Sequence, residues 1–531
     1  MKIPTLLIAL ATSCLHAAAH QEVAIPSVFS DHMVLQRDME VPVWGLSEPG
    51  ESITVTFGNQ TKTVTADDDG KWKALLDAMP ANAKGRTLTV KGSNEITIED
   101  VLVGEVWVCS GQSNMAWTVD KTDNAEEEIA NGDFPQIRQF KVLQHAARGP
   151  QKDCEGEWFI ASPKTVGTFT ATGYYFGREL HQKLDIPIGL INTSWGGTRA
   201  EAWTSAGGLK RNPKAEPIRR EWHDASFDYD AKTDLERFET QLETWKKRVE
   251  KRVAKMREDG QGPPFPRRPR TPGHPRDSQH CPSALYNGMI HPLIPYGIRG
   301  AIWYQGESNR ERAKQYRAIF PGMIRDWRAK WKQGAFPFYF VQLANFQQPA
   351  TEPGTDNSWA ELQEAQALTL QALPKTGMAT INDIGAADDI HPRNKQDVGR
   401  RLARWALIRD YGQKGMMISG PIYKDFAIED DKIRVHFDHA GKQLKTRDEQ
   451  PLKWFEIAGE DQVWHWADAK IDGATVVVSS PDVPNPVAVR YAWTANPVGA
   501  NLVNRDGLPT SLFRTDDWER VTKGNVLPGV N

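Results

Sequence analysis

Long apolar runs are what this sequence most lacks. Beyond the N-terminal segment no stretch approaches the roughly 18 uncharged apolar residues that cross a bilayer, so the mature chain reads as soluble, without membrane insertion. Cysteine is scarce as well: the four are Cys14, Cys109, Cys154 and Cys281, with no Cys-x-x-Cys pair and no histidine–cysteine cluster. That excludes a structural zinc site of the usual kind. An excess of one charge is also missing, since 65 Lys and Arg face 68 Asp and Glu for a formal net charge of −3. There is thus no electrostatic case for nucleic-acid binding. No internal repeat is present.

At the N-terminus, Lys2 is followed by the apolar segment Ile3 to Leu15 and then Ala17-Ala18-Ala19. This is the layout of a secretory signal peptide with a small-residue cleavage site. Residues 1–19 are therefore assigned to a leader, and the mature protein is expected to be secreted or periplasmic. Lipidation at Cys14 fits poorly with the preceding Ala11-Thr12-Ser13. Loss of Cys14 leaves three cysteines, which allow at most one disulfide and a free thiol. Cys109 lies in an apolar run and reads as a small core residue.

At 531 residues the chain should hold two or three domains. Residues 20–103 alternate polar and apolar, as in Ser52-Ile53-Thr54-Val55-Thr56-Phe57, Thr87-Leu88-Thr89-Val90 and Glu95-Ile96-Thr97-Ile98. Turn signals at Glu48-Pro49-Gly50, Asp67-Asp68-Asp69-Gly70 and Lys91-Gly92-Ser93-Asn94 separate these runs. The pattern predicts a small antiparallel sandwich. Over 104–413 compact apolar strands alternate with helices, at Val101–Cys109, Pro187–Asn192, Arg299–Tyr304, Pro337–Leu343 and Met378–Asn382. Continuous apolar strands imply burial on both faces, hence a parallel sheet between helices.

An insertion at 210–282 interrupts this unit. Leu235, Phe238, Leu242, Trp245, Val249, Val253 and Met256 recur at helical spacing, which favours a helix packed on the domain over one that binds a partner. Gly262-Pro263-Pro264-Phe265-Pro266-Arg267-Arg268-Pro269-Arg270 reads as an extended basic loop. Residues 414–531 return to strands, at Lys432–Phe437, Phe455 to Trp466, Ala474–Val478 and Ala488 to Trp493, and should form a second β domain.

The chemistry-bearing residues follow the central strands. In open parallel sheets ligands bind at the carboxyl ends of the strands. Gly111-Gln112-Ser113-Asn114 follows the first, and Thr193-Ser194-Trp195-Gly196-Gly197-Thr198 the second. Gln305-Gly306-Glu307-Ser308-Asn309 follows the third, Asn345 the fourth, and Asp388-Asp389-Ile390-His391-Pro392 the fifth. Acyl transfer needs a nucleophile, a proton acceptor and donors for an oxyanion. Ser113 is the candidate nucleophile, with Ser110 a more buried rival. His391 is the candidate base. Asp388, three residues earlier, is the expected orienting carboxylate, and Asp389 its rival. Pro392 suits the first position of a following helix with Val398, Leu402, Trp405 and Ala406 on one face. The oxyanion donors are expected from the Ser113 amide, Gly196, Gly197 and the Asn309 side chain. Gln112, Gln305 and Glu307 are read as substrate-binding or supporting, with Glu307 anchoring loops or helping to orient His391.

These blocks resemble the sialate O-acetylesterase family of SGNH-type hydrolases, in order and in approximate spacing. Leu285-Tyr286-Asn287-Gly288-Met289-Ile290 and Arg514-Thr515-Asp516-Asp517-Trp518 extend the resemblance, which runs from about Ile25 to Trp518. It implies an α/β, flavodoxin-like catalytic domain with a parallel sheet, flanked by N-terminal and C-terminal β domains. It further implies removal of O-acetyl groups from sialic acids, with no metal and no cofactor. Carried over by motif, Ser113 is the nucleophile, His391 the base and Asp388 its partner. The third block departs from the Gly-x-Asn-Asp of the broader superfamily, which leaves the donor role of Asn309 open. The partner is then an O-acetylated sugar or glycan. Acetylxylan or another polysaccharide is the alternative substrate, and a carbohydrate-binding surface protein the non-enzymatic alternative. The nineteen tryptophans offer faces for sugar rings, although most tryptophans pack inside. Oligomeric state is not legible.

Overall fold

One strand organises the molecule, a computed structural model that describes residues 22–259 and 265–530. The segment expected to be a leader, 1–19, with Cys14, and Gly262, Pro263 and Pro264 of the basic loop lie outside the described residues. Strand β1 runs from Glu95 to Gly111. The sequence pattern predicts two strands here, Glu95–Ile98 and Val101–Cys109; they are one. Asp100, at φ 55°, kinks the strand without ending it. On both sides of the kink, as far as Val103, β1 pairs antiparallel with Asn82–Lys91. Beyond it, the strand is buried at every residue from Val101 onward. The change from alternation to continuous burial marks passage from a one-sided sheet to one covered on both faces.

Around the second half of β1 lie β2 (Phe134–Val142), β3 (Gly156–Ala161), β4 (Ile188–Ser194), β5 (Gly300–Tyr304), β6 (Phe338–Val341) and β7 (Thr376–Ala379). Their order is β7-β6-β5-β1-β4-β2-β3. All neighbours are parallel except β2 and β3. The five strands legible in the sequence are β1, β4, β5, β6 and β7. Numbered along the chain, those five lie in the order 2-1-3-4-5. The β2–β3 pair extends the edge and escapes the pattern because charged and amide residues interrupt it. Arg138 of β2 is buried and pairs with Asp100 at 2.9 Å.

Four helices cover the sheet: α1 (Ala171–Leu184), α2 (Ala313–Trp331), α3 (Ser358–Ala372) and α4 (Lys395–Arg409). Helix α1 packs on α4 and α2 on α3. On one face Trp107 of β1 meets Phe176 of α1 edge-on, with ring centroids 5.0 Å apart. On the other, Trp303 of β5 meets Phe320 and Trp327 of α2 at 6.2 and 6.0 Å. Each such ring, fully buried, stabilises the fold by roughly 1.5–3 kcal/mol, so the strand ends project from a rigid floor.

The N-terminal segment is antiparallel, with Ser52–Phe57 between Gln60–Thr65 and Asn82–Lys91, and a separate pair Val41–Leu46 with Lys71–Leu76. The C-terminal segment forms two four-stranded antiparallel sheets sharing a core of Val435, Val476, Phe455, Ile457, Val489 and Phe513. The predicted Phe455–Trp466 strand is split there into Phe455–Ala458 and Trp464–Trp466.

The long helix of the insertion, Ala231–Asp259, differs from its expectation. None of its described residues is buried, and Leu235 is 48% exposed. Its stripe meets the proline-rich segment instead: Trp245 Nε1 donates to the Pro266 carbonyl at 2.7 Å, and Arg252 lies 5.4 Å from the Phe265 ring. Cys109, Cys154 and Cys281 are all free, so no disulfide forms among them.

Candidate active site

Strands β1, β4 and β5 finish in register, with Gly111 opposite both Ser194 and Tyr304. Gly111, at φ 140°, turns the chain so close to the Tyr304 carbonyl that no Cβ would fit. The Gln112 amide donates to the Tyr304 carbonyl at 3.0 Å, and the Trp195 amide to the Gly111 carbonyl at 3.1 Å. Ser113 then opens a single helical turn, Ser113–Ala116. It is half-buried, whereas Ser110 is wholly buried.

The loop after β7 brings His391 to this turn. Its Nε2 lies 2.9 Å from Ser113 Oγ, across 278 positions of sequence. Trp117 stacks on the imidazole with centroids 4.9 Å apart and planes inclined by 15°. The carboxylate beside the ring is that of Asp389, with Oδ1 3.4 Å from Nδ1. The same oxygen accepts the His391 backbone N–H at 2.9 Å. Asp388, the expected partner, is exposed and makes no hydrogen bond or ion pair with His391 among the described residues. The reason is local: an aspartate that closes onto the amide two residues ahead folds its side chain back over that residue. The side chain one position earlier does not share that turn. Pro392 likewise does not open the helix, which begins at Lys395 with Asn394 capping the Asp397 amide at 3.0 Å.

Burial disfavours the imidazolium of His391, Asp389 opposes that effect, and Lys395 reinforces it; the net shift is below the ordinary 6.5. A neutral ring at hydrogen-bond distance from a hydroxyl can take its proton.

Gly196 lies directly against the serine. A Cβ placed on it would stand 3.3 Å from Ser113 Cβ. Gly197, at φ 74°, faces open space. The Ser113 and Gly196 amides donate to no backbone acceptor among the described residues. Asn309 is a different matter. It is 1% exposed, and its Nδ2 donates to Glu201 Oε2 at 2.9 Å. Its Oδ1 accepts from the Ala200 amide at 3.0 Å and from Gln305 Nε2 at 2.6 Å. It therefore braces the loop after β4, with one N–H of its amide taken by the buried Glu201 carboxylate. Gln305 is also buried and bonds Tyr316 and Thr198, a supporting role. Gln112 is 3% exposed; its backbone amide holds the turn and its side-chain Oε1 accepts from the Ser308 amide at 3.5 Å.

Beneath Ser113 runs a buried polar chain. Asn114 Nδ2 donates to Glu307 Oε1 at 2.7 Å and to the Ile390 carbonyl at 3.0 Å. Lys395 Nζ donates to Asn114 Oδ1 at 2.6 Å and to the Pro392 carbonyl at 2.5 Å. Glu307 thus reaches the His391 loop through Asn114. Burial pushes the Lys395 ammonium down to about 7, and raises the Glu307 carboxyl above its ordinary range. Sequence pattern overlooks Lys395, although a signal exists: it stands three residues before Val398, on the apolar face of α4. Beside Trp117 opens a groove of about 840 Å³, lined in part by Lys121, Thr122 and Arg393. Among the described residues no group of three or more His, Cys, Asp or Glu side chains is arranged to hold a metal ion.

Comparison with known proteins agrees with this chemistry. The family described as carbohydrate esterase, sialic acid-specific acetylesterase, matches residues 279–407. Mouse sialate O-acetylesterase is 30% identical over 524 residues, covering 89% of each chain. The human sialate O-acetylesterase is 30% identical over 513 residues, covering 89% of this chain and 87% of the human one. The crystal structure of a carbohydrate acetylesterase from Xanthomonas citri is 39% identical, with a TM-score of 0.78, over 94% of this chain and all of that one (100%). A reactive-looking serine and imidazole at the rim of a parallel sheet, and relatives aligned over nearly the whole length, lead to one conclusion: the chain is a carboxylic-ester hydrolase and belongs to the sialate O-acetylesterase family.

Proposed function

We propose that the protein removes O-acetyl groups from sugars, sialic acids foremost, through an acetyl-serine intermediate. Ser113 Oγ attacks the acetyl carbonyl while His391 Nε2 takes its proton. The tetrahedral oxyanion is met by the Ser113 and Gly196 amides. His391 then returns the proton to the departing sugar oxygen, leaving acetylated Ser113 and a free alcohol. Water, deprotonated by the same imidazole, attacks the acetyl group, and acetate leaves as Ser113 regains its proton. Asp389 holds the ring in the tautomer that leaves Nε2 facing the serine. Because His391 serves the leaving group, the sugar belongs on the His391 side of Ser113.

The observation that carries this reading is the 2.9 Å separation of His391 Nε2 and Ser113 Oγ. The 2-1-3-4-5 order of the five strands supports a flavodoxin-like, SGNH-type core for the catalytic unit. Ser113→Ala should leave a folded protein with almost no turnover of an acetyl ester; near-full turnover would overturn the mechanism. The sialic acid preference follows the mammalian relatives. The Xanthomonas citri relative, titled only a carbohydrate acetylesterase, favours a second reading in which other acetylated sugars are accepted. Paired assays on O-acetylated sialic acid and acetylated xylan separate the two.

A further inference from the structure

His391 is held by its two flanking carbonyls. The Ile390 carbonyl accepts from Asn114 Nδ2 at 3.0 Å, and the Pro392 carbonyl from Lys395 Nζ at 2.5 Å. Both donors belong to one buried unit, because Lys395 also donates to Asn114 Oδ1. Asn114 is the residue after Ser113, so the same side chain that steadies the loop of the base rides on the turn of the nucleophile. Asn114 is 1% exposed and Lys395 wholly buried. The ammonium lies between two rings as well, 5.8 Å from Trp117 and 5.3 Å from Tyr304. Trp117 is the ring stacked on His391, so Lys395 meets the imidazole's support from below.

We propose that Lys395 is a positioning residue for the esterase reaction: through Asn114 and the Pro392 carbonyl it sets the distance between His391 and Ser113. The same ammonium opposes protonation of the nearby imidazole. The inference rests on the reading of Ser113 and His391 as the reacting pair.

Energetics favour function over stability as the reason for this lysine. A buried ammonium costs several kcal/mol to desolvate, and an apolar residue at this point of α4 would continue the face of Val398 and Leu402. The cost is offset only in part. Asn114 Oδ1 and the Pro392 carbonyl accept hydrogen bonds from two of its three N–H groups. Glu307, from the loop after β5, Asp389, from the loop after β7, and Asp123, from the segment after the Ser113 turn, supply opposing charge. His391 is the like charge when protonated, and Tyr304 faces the ammonium as a neutral ring. Glu307 itself keeps one oxygen, Oε2, buried with no hydrogen-bond partner among the described residues. Such a network places both partners of the reaction on one rigid post. A displacement of about 1 Å between reacting groups costs on the order of 100-fold in rate.

The test is Lys395→Met, which keeps length and removes donors and charge. With Ser113→Ala as the inactive reference, kcat should fall about 10- to 100-fold while KM stays within about twofold. The acid limb of the kcat/KM profile should move to higher pH, because removing a positive charge makes the imidazolium easier to form. A lysine that merely supported the fold would not move that limb. A folded variant with native kcat and an unmoved limb overturns the inference. If Lys395→Met does not fold, Lys395→Gln, which retains an N–H donor without charge, decides: a limb moved to higher pH supports the proposal and an unmoved one overturns it. Failure of both variants to fold assigns the lysine to the fold itself and also overturns it. An active Ser113→Ala would instead defeat the underlying mechanism, so the two failures are distinct.

Discussion

Trp117 lies face to face with His391, centroids 4.9 Å apart and planes inclined by 15°. The indole fixes the plane of the imidazole and shields one face of it, while its own Nε1 is tied to the Lys121 carbonyl at 3.0 Å. Stacked pairs of this kind contribute about 0.5–1.5 kcal/mol beyond their area. Trp117→Ala should therefore lower kcat/KM by about 3- to 10-fold at least, and Trp117→Phe by less. Steady-state kinetics on an acetyl ester check this; equal activity of the alanine variant would remove the indole from the mechanism.

Asp389 and Asp388 are adjacent in sequence and differ in role. Asp389→Asn preserves the turn but loses the charge beside Nδ1. A fully buried aspartate in this role is worth about 10⁴ in kcat. The Asp389 side chain is 42% exposed and 3.4 Å from the ring, so water weakens its effect. A loss of about 10- to 100-fold is expected, discounted from that buried reference, with Asp388→Asn near native. The reverse ranking would make Asp388 the working partner.

The pH dependence has a definite sign. His391 titrates below its ordinary 6.5 because burial and Lys395 outweigh Asp389. The base works only when neutral, so activity is lost as pH falls through that lowered value and is at its plateau by neutrality. The kcat/KM profile should accordingly show an acid midpoint below 6.5. A midpoint above 6.5 would mean that Asp389 dominates the electrostatics of the ring.

Asn309 divides structural from chemical roles. Asn309→Ala leaves the Ala200 amide without its acceptor and Glu201 with one donor fewer, both in a buried setting. An unsatisfied buried group costs about 1–3 kcal/mol, so denaturant unfolding should show a loss of that size. Turnover per folded molecule should fall much less than in Ser113→Ala. A collapse of kcat without loss of stability would restore Asn309 as an oxyanion donor.

Much of this molecule is legible in its residues taken in order. Continuous apolar runs announce β1 and β4 to β7, because burial on both faces leaves no room for polar alternation. Gly111 before Ser113 announces the turn, because only glycine takes that conformation so close to Tyr304. The distant Asp-Asp-Ile-His-Pro block marks His391 as a candidate base, and its Nε2 lies 2.9 Å from Ser113 Oγ. The strand pair β2–β3 escapes the same reading, since Arg138 is buried by virtue of Asp100, a partner 38 positions away.

Residue type and spacing thus sufficed to single out Ser113, His391 and the sheet that presents them, since these depend on local backbone geometry and on which faces meet water. Three-dimensional packing alone selected Asp389 over Asp388, turned Asn309 inward to Glu201 and set Lys395 beneath Ser113. A side chain's direction in a loop, and the charge it meets there, follow from whatever the rest of the chain stacks behind it.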